Sequence, residues 1–187
     1  MAIFGKELEL LRNNLITQFL LFAFLLAYSN SLYAQKENRK QMTMLRLGAL
    51  GRVKETPVLT GAFKTGSGTD ISLIHLRRVA STFYLGGGVG ISAYVNPTTT
   101  TIPIYLSSAY YLRSRVSSPF LFLNAGLALR DKSFHDGEII EPGIGWAFKI
   151  WKSAALTPEI GYRFQSYGRN EENGKISSLL LGIGISF

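Results

Sequence analysis

His75, His135 and Ser133 are the residues on which an acid–base or nucleophilic mechanism would draw. A hydrolytic site needs a histidine in reach of a hydroxyl and an acid. Ser133 stands two residues before His135, but inside the polar run Asp131–Gly137, where no regular element would hold the pair. His75 has apolar neighbours and no serine two positions away. Neither is assigned a catalytic role; His135 reads as a solvated loop residue and His75 as a residue of the interior or rim. Two histidines without patterned carboxylates give no metal-ligand spacing, and the chain has no cysteine for a thiolate site or disulfide. The sequence predicts no catalytic residue, no metal site and no cofactor.

Glu141, Lys149, Glu159 and Arg163 are the charged residues whose spacing suggests a shared environment. They lie on two alternating segments joined by the tight turn Trp151–Ser153, on the face opposite the apolar one. In an antiparallel pair centred near Lys152, residues equidistant from the turn face each other. That places Glu141 by Arg163, Lys149 by Ala155, and Glu159 by Ala147, diagonal to Lys149. The expectation is a network that neutralises buried charge, with a Glu141–Arg163 pair at its centre.

The elements that must position these residues are strands. From Leu179 to Phe187 every second residue is large and apolar, with small or polar residues between. The same period of two runs through Thr43–Val53, Thr82–Val95, Ile102–Leu112, Pro119–Arg130, Ile139–Ile150 and Ala154–Ser166, and more weakly through Asp70–Arg77. Pro57–Lys64 is a separate piece or an extension of the first strand. A membrane-crossing strand needs ~9–11 residues, which the strong segments meet. Eight strands fit better than nine, because single-chain barrels usually have an even number.

Lys6 and Arg12 precede the apolar run Phe19–Tyr28, which is well short of the ~20 residues of a spanning helix, and Ala34 ends a small and polar stretch. This predicts a signal peptide over 1–34 cut before Gln35, a flexible lead-in over 35–42 and a barrel domain over 43–187. Charged residues make up only 17% and glycines number 19. The net charge of +8 is read as a solvated rim facing anionic head groups, not as a nucleic-acid surface.

Alternation alone does not say which face is outside, since a lipocalin-like barrel alternates with its apolar face inward. Arg46, Glu141, Lys149, Glu159 and Arg163 lie mid-strand opposite the apolar faces. Phe83, Tyr94, Tyr110, Tyr111, Trp151, Phe164, Tyr167 and Phe187 lie near strand ends, as an interfacial girdle would, and short turns alternate with longer polar loops. These favour lipid outside. Gly86, Gly88 and Gly90 share the other face, leaving room for a side chain from across the lumen.

The closing strand, ending on Phe187, resembles the assembly signal of outer-membrane β-barrels. Tyr84-Leu85-Gly86-Gly87-Gly88-Val89-Gly90, Ser118–Leu121, Glu141-Pro142-Gly143-Ile144-Gly145 and Leu156–Gln165, in that order, resemble the small porin-family-like outer-membrane barrel domains of Bacteroidota. The resemblance implies an all-β, antiparallel up-and-down barrel of eight strands in the outer membrane. Its implied partners are outer-membrane lipids, lipopolysaccharide and the barrel assembly machinery, with no assigned activity. The expected role is structural or surface interaction without enzymatic activity. The alternatives are a narrow passage for small solutes, a lipid-modifying enzyme and a lipocalin-like soluble periplasmic carrier.

Overall fold

A computed structural model describes residues 40–56, 67–95, 99–113, 117–130, 137–151, 153–167 and 174–187. The expected leader, most of the lead-in, Pro57–Lys64, Ser133 and His135 lie outside the described residues. The described residues form eight strands: β1 (Gln41–Thr56), β2 (Gly68–Arg78), β3 (Phe83–Tyr94), β4 (Thr99–Tyr111), β5 (Ser118–Arg130), β6 (Gly137–Lys149), β7 (Ala155–Tyr167) and β8 (Gly174–Ser186). Each pairs antiparallel with its neighbour in sequence, and β1 pairs with β8 to close the barrel. Closure matters because an open edge in hydrocarbon would leave a row of N–H and C=O groups without partners.

The closing seam runs from Met44↔Ser186 to Thr56↔Lys175, with a bulge between Arg52 and Lys54. Beyond it, Thr43 N donates to Phe187 O at 3.1 Å and Phe187 N to Thr43 O at 2.8 Å. The connections 79–82, 112–117 and 150–154 lie at this end, with both termini of the barrel. The first is tightened by Val79 N and Ala80 N donating to Phe83 O, the last by Ile150 N donating to Ala154 O.

The alternation resolves into two surfaces. Leu47, Leu85, Ile104, Leu106, Leu121, Ile144, Phe148 and Ile183 face outward and are exposed. Arg46, Asp70, Glu141 and Arg163 face inward and are fully buried. A water-soluble carrier would need the reverse, so the lipocalin-like alternative is discarded. An apolar belt around the whole wall is the dressing of a barrel that spans a bilayer.

The lumen is filled by side chains, as expected for about eight strands. At the termini end, Met42, Met44, Ile74, Leu76, Tyr111, Phe120 and Phe122 form an apolar plug. Tyr111 stacks on Phe120 at 5.0 Å and meets the edge of Tyr84 at 5.3 Å. Tyr111 and Tyr94 are therefore lumen residues, not girdle residues, because each sits on the inward parity of its strand. The space over Gly88 is taken by Tyr105 of the adjacent strand, its register partner, and not by a residue from across the lumen. Phe122 likewise lies where a side chain on its partner Gly143 would stand.

Candidate functional site

The centre of the lumen is a cluster of charges drawn from most of the wall. Arg46 projects from β1, Asp70 and Ser72 from β2, Ser92 from β3, Asn124 from β5, Glu141 from β6, and Glu159 and Arg163 from β7. The two-residue period puts each on the inner face.

Arg163 and Glu141 form the tightest ion pair. Arg163 Nε donates to Glu141 Oε2 at 2.6 Å, and Nη2 lies 2.6 Å from the same oxygen. Arg163 Nη2 also reaches Asp70 Oδ1 at 2.8 Å, and its Nη1 donates to Ser92 Oγ at 2.8 Å. Arg46 works from the opposite side. Its Nη1 is 2.7 Å from Glu141 Oε1 and 3.5 Å from Glu159 Oε2, and its Nη2 is 3.3 Å from Asp70 Oδ2. Two guanidiniums thus share three carboxylates.

Neutral groups fill much of the shell, while Arg46 Nε and Glu159 Oε1 are buried without a hydrogen-bond partner among the described residues. Ser72 and Ser92 donate to the two oxygens of Asp70 at 2.5 and 2.6 Å. Asn124 Nδ2 donates to Glu141 Oε1 at 2.8 Å, while its Oδ1 accepts from Ser107 Oγ at 2.6 Å. Charges held out of water need such satisfaction, because desolvation otherwise exceeds the Coulombic gain. Below the cluster, a cavity of ≈ 10 Å³ lies among Arg46, Asn124, Glu159 and the apolar plug. That is room for about one water.

Of the four charges that the sequence groups together, three meet here. Lys149 does not: it lies exposed at the end of β6, opposite Ala155, where water solvates its ammonium. Glu159 pairs with Gly145, not Ala147, since pairing symmetric about Lys152 places it one step deeper. Asp70 and Asn124, central to the cluster, are not among the residues that the sequence groups together, and Arg46 appears there only as an inward charge. Arg163 with Asp70, and Arg46 with Glu141 and Glu159, span strands that are not neighbours, so no hairpin register foretells them, whereas Asn124 faces both of its partners, Ser107 and Glu141, in direct register.

His75 faces outward, not into the lumen. Its Nδ1 lies 2.9 Å from Thr43 Oγ1, directly opposite on β1. A search for serine along one strand misses this hydroxyl because it comes from the partner strand. No carboxylate joins the pair among the described residues. Groups of three or more metal-ligating side chains with suitable geometry are absent among the described residues.

Fold and cluster together define a class: an eight-stranded transmembrane-type β-barrel whose lumen is sealed by ion pairs and aromatic rings. No protein-family model matches the chain, and no curated protein matches its sequence. Solved structures do match its shape. The outer membrane protein OprG from Pseudomonas aeruginosa superposes with a TM-score of 0.54 at 10% identity, over 82% of this chain and 98% of that one. Neisserial surface protein A aligns with a TM-score of 0.49 at 17% identity, covering 78% of this chain and 95% of its own. A de novo designed transmembrane β-barrel gives 0.44 at 14%, over 82% and 99%. The likeness to OprG is one of fold, since function resides in sites and not in the fold that carries them.

Proposed function

We propose that this chain is an integral outer-membrane barrel of the small Bacteroidota kind, exported by a cleaved leader, that spans the membrane without conducting. Its role on this reading is structural or surface-interacting, without enzymatic activity. The strand ends opposite the termini, at Thr56, Tyr94, Arg130 and Tyr167, mark the end of the barrel at which a partner would bind. Outer-membrane lipid and lipopolysaccharide surround the wall, and the assembly machinery inserts it by way of the strand ending at Phe187.

The observation that supports a closed barrel is the sealed lumen. Arg46, Asp70, Glu141 and Arg163 have no accessible side-chain surface worth a solute's passage, at 0–1%. Breaking them apart would leave buried charges unpaired. The purified protein should show a boiled-versus-unboiled mobility shift on gels and no unitary conductance in planar bilayers. Discrete conductance steps would overturn the closed reading in favour of a solute passage. Expression should also leave the mass of lipid A unchanged; an altered mass would point to the enzyme.

A further inference from the structure

The outer wall carries one polar strip near the termini end of β1 and β2. Gln41 faces Arg77 and Thr43 faces His75 in direct register, all four on the outward parity. Gln41, His75 and Arg77 are exposed. On the next strand, His75 stands opposite Gly87, and Gly87 opposite Leu106, which is 72% exposed. The missing side chain at Gly87 leaves a shallow notch walled by Leu85, Leu106 and the histidine. The Arg77 side chain has no hydrogen-bond or ion-pair partner among the described residues, and no side-chain carboxylate shares the outward faces of β1, β2 or β3 near it.

A cation on a lipid-facing wall is costly at mid-bilayer and nearly free at the interface. Arg77 lies one residue from the end of β2, at head-group level. The side chains of the strip are rich in donors and include no carboxylate, and the terminal residue Phe187 beside it is engaged by the Thr43 backbone. A guanidinium offers a planar fork matched to phosphate oxygens. In the tautomer that accepts the Thr43 hydroxyl at Nδ1, the His75 proton is carried on Nε2, on the far side of the ring from Thr43, as a further donor. The anion that a bilayer presents at this depth is the phosphodiester of a lipid.

We propose that Gln41, Thr43, His75 and Arg77 form a binding site for an anionic phospholipid of the termini-side leaflet, its phosphate on Arg77 and His75 and an acyl chain along the Gly87 notch. This rests on the reading of the chain as a membrane barrel. The fork of Arg77 supplies orientation, and the Thr43–His75 bond fixes the imidazole. The apolar notch makes the ligand a lipid and not a free anion.

The test is native mass spectrometry of the full mature chain refolded in detergent, with dioleoylphosphatidylglycerol or dioleoylphosphatidylcholine added at equal ratio. The gel mobility shift is read first on every sample, so a failed barrel is told apart from a failed site. Phosphatidylglycerol should be retained over phosphatidylcholine. Arg77→Ala should lower retention about tenfold, the loss of a charge-assisted contact. Arg77→Lys should lower it severalfold, since it keeps the charge and loses the fork, and His75→Ala should also weaken it. The bound lipid should persist in excess inorganic phosphate. Wild-type retention in Arg77→Lys together with His75→Ala, or equal retention of the two lipids, overturns the proposal in favour of a diffuse basic rim. Displacement by inorganic phosphate overturns the lipid assignment in favour of a simple anion site.

Discussion

Strand β7 is held by two seams of different construction. Toward β8 the ladder is continuous from Ala155↔Ser186 to Tyr167↔Gly174. Toward β6 it breaks twice, between Ile140↔Phe164 and Gly143↔Gly161 and again between Gly145↔Glu159 and Phe148↔Leu156. Pro142 lies in the first gap and Pro158 in the second. Proline has no N–H, so each gap lacks a donor. Pro158 still pairs with Ile183 on β8, so its missing donor is on the β6 side. Proline is ordinarily confined to sheet edges and bulges, and hydrocarbon offers no water as a substitute donor.

Side chains compensate on both faces of the broken seam. Inside, the Glu141–Arg163 ion pair bridges β6 and β7 at the first gap. Outside, the register carries Tyr162 beside Pro142 and Trp146 beside Pro158. Tyr162 packs on Phe164 at 4.7 Å and Trp146 on Phe148 at 5.9 Å. A barrel wall thus tolerates lost backbone bonds where a buried ion pair and a ring cover the loss.

The comparison breaks most readily at Arg163. Arg163→Ala leaves Glu141, Asp70 and Glu159 to Arg46 alone, an uncompensated buried negative charge, and should cost about 3–5 kcal/mol, read as a lower temperature for loss of the compact gel band. An unchanged temperature would mean that the seam does not depend on the pair. A smaller effect concerns the prolines. In the native protein, β6–β7 amides should exchange hydrogen faster than β7–β8 amides, and Pro142→Ala or Pro158→Ala should narrow the difference. A restored bond is worth about 0.5–1.5 kcal/mol, less about 0.4–1 for the freer unfolded chain, so exchange is the sharper readout. Equal exchange in the two native seams would remove the contrast. Lys149→Ala should change stability by no more than about 0.5 kcal/mol, because the side chain is solvated at the strand end.

Much of this architecture is legible in the alternation. The strands, their faces and the Glu141–Arg163 contact follow from a period of two and a turn centred near Lys152. The limits of that reasoning are equally physical. Tyr94 and Tyr111 are aromatic and near strand ends, yet parity turns them inward, where Tyr94 donates to Gln165 at 3.0 Å. Lys149 has inward parity, but its place at the mouth keeps it wet. Asp70 opens a weakly patterned strand, and its partner Arg163 sits far along the chain. Thr43 meets His75 only through the β1–β2 register, which a long connection separates.

The charge cluster has a consequence for how the barrel chooses its shear. Sliding any strand by two residues keeps every apolar side chain outside, so alternation cannot distinguish such states. The slip would carry a charge about 7 Å from its partners. Arg46 with Glu141, Arg46 with Glu159 and Arg163 with Asp70 are separated by 95, 113 and 93 residues, so these contacts exist only once the wall has closed in one alignment. The ions act as a combination lock: of the many cylinders the greasy pattern permits, they open a deep free-energy well for a single one.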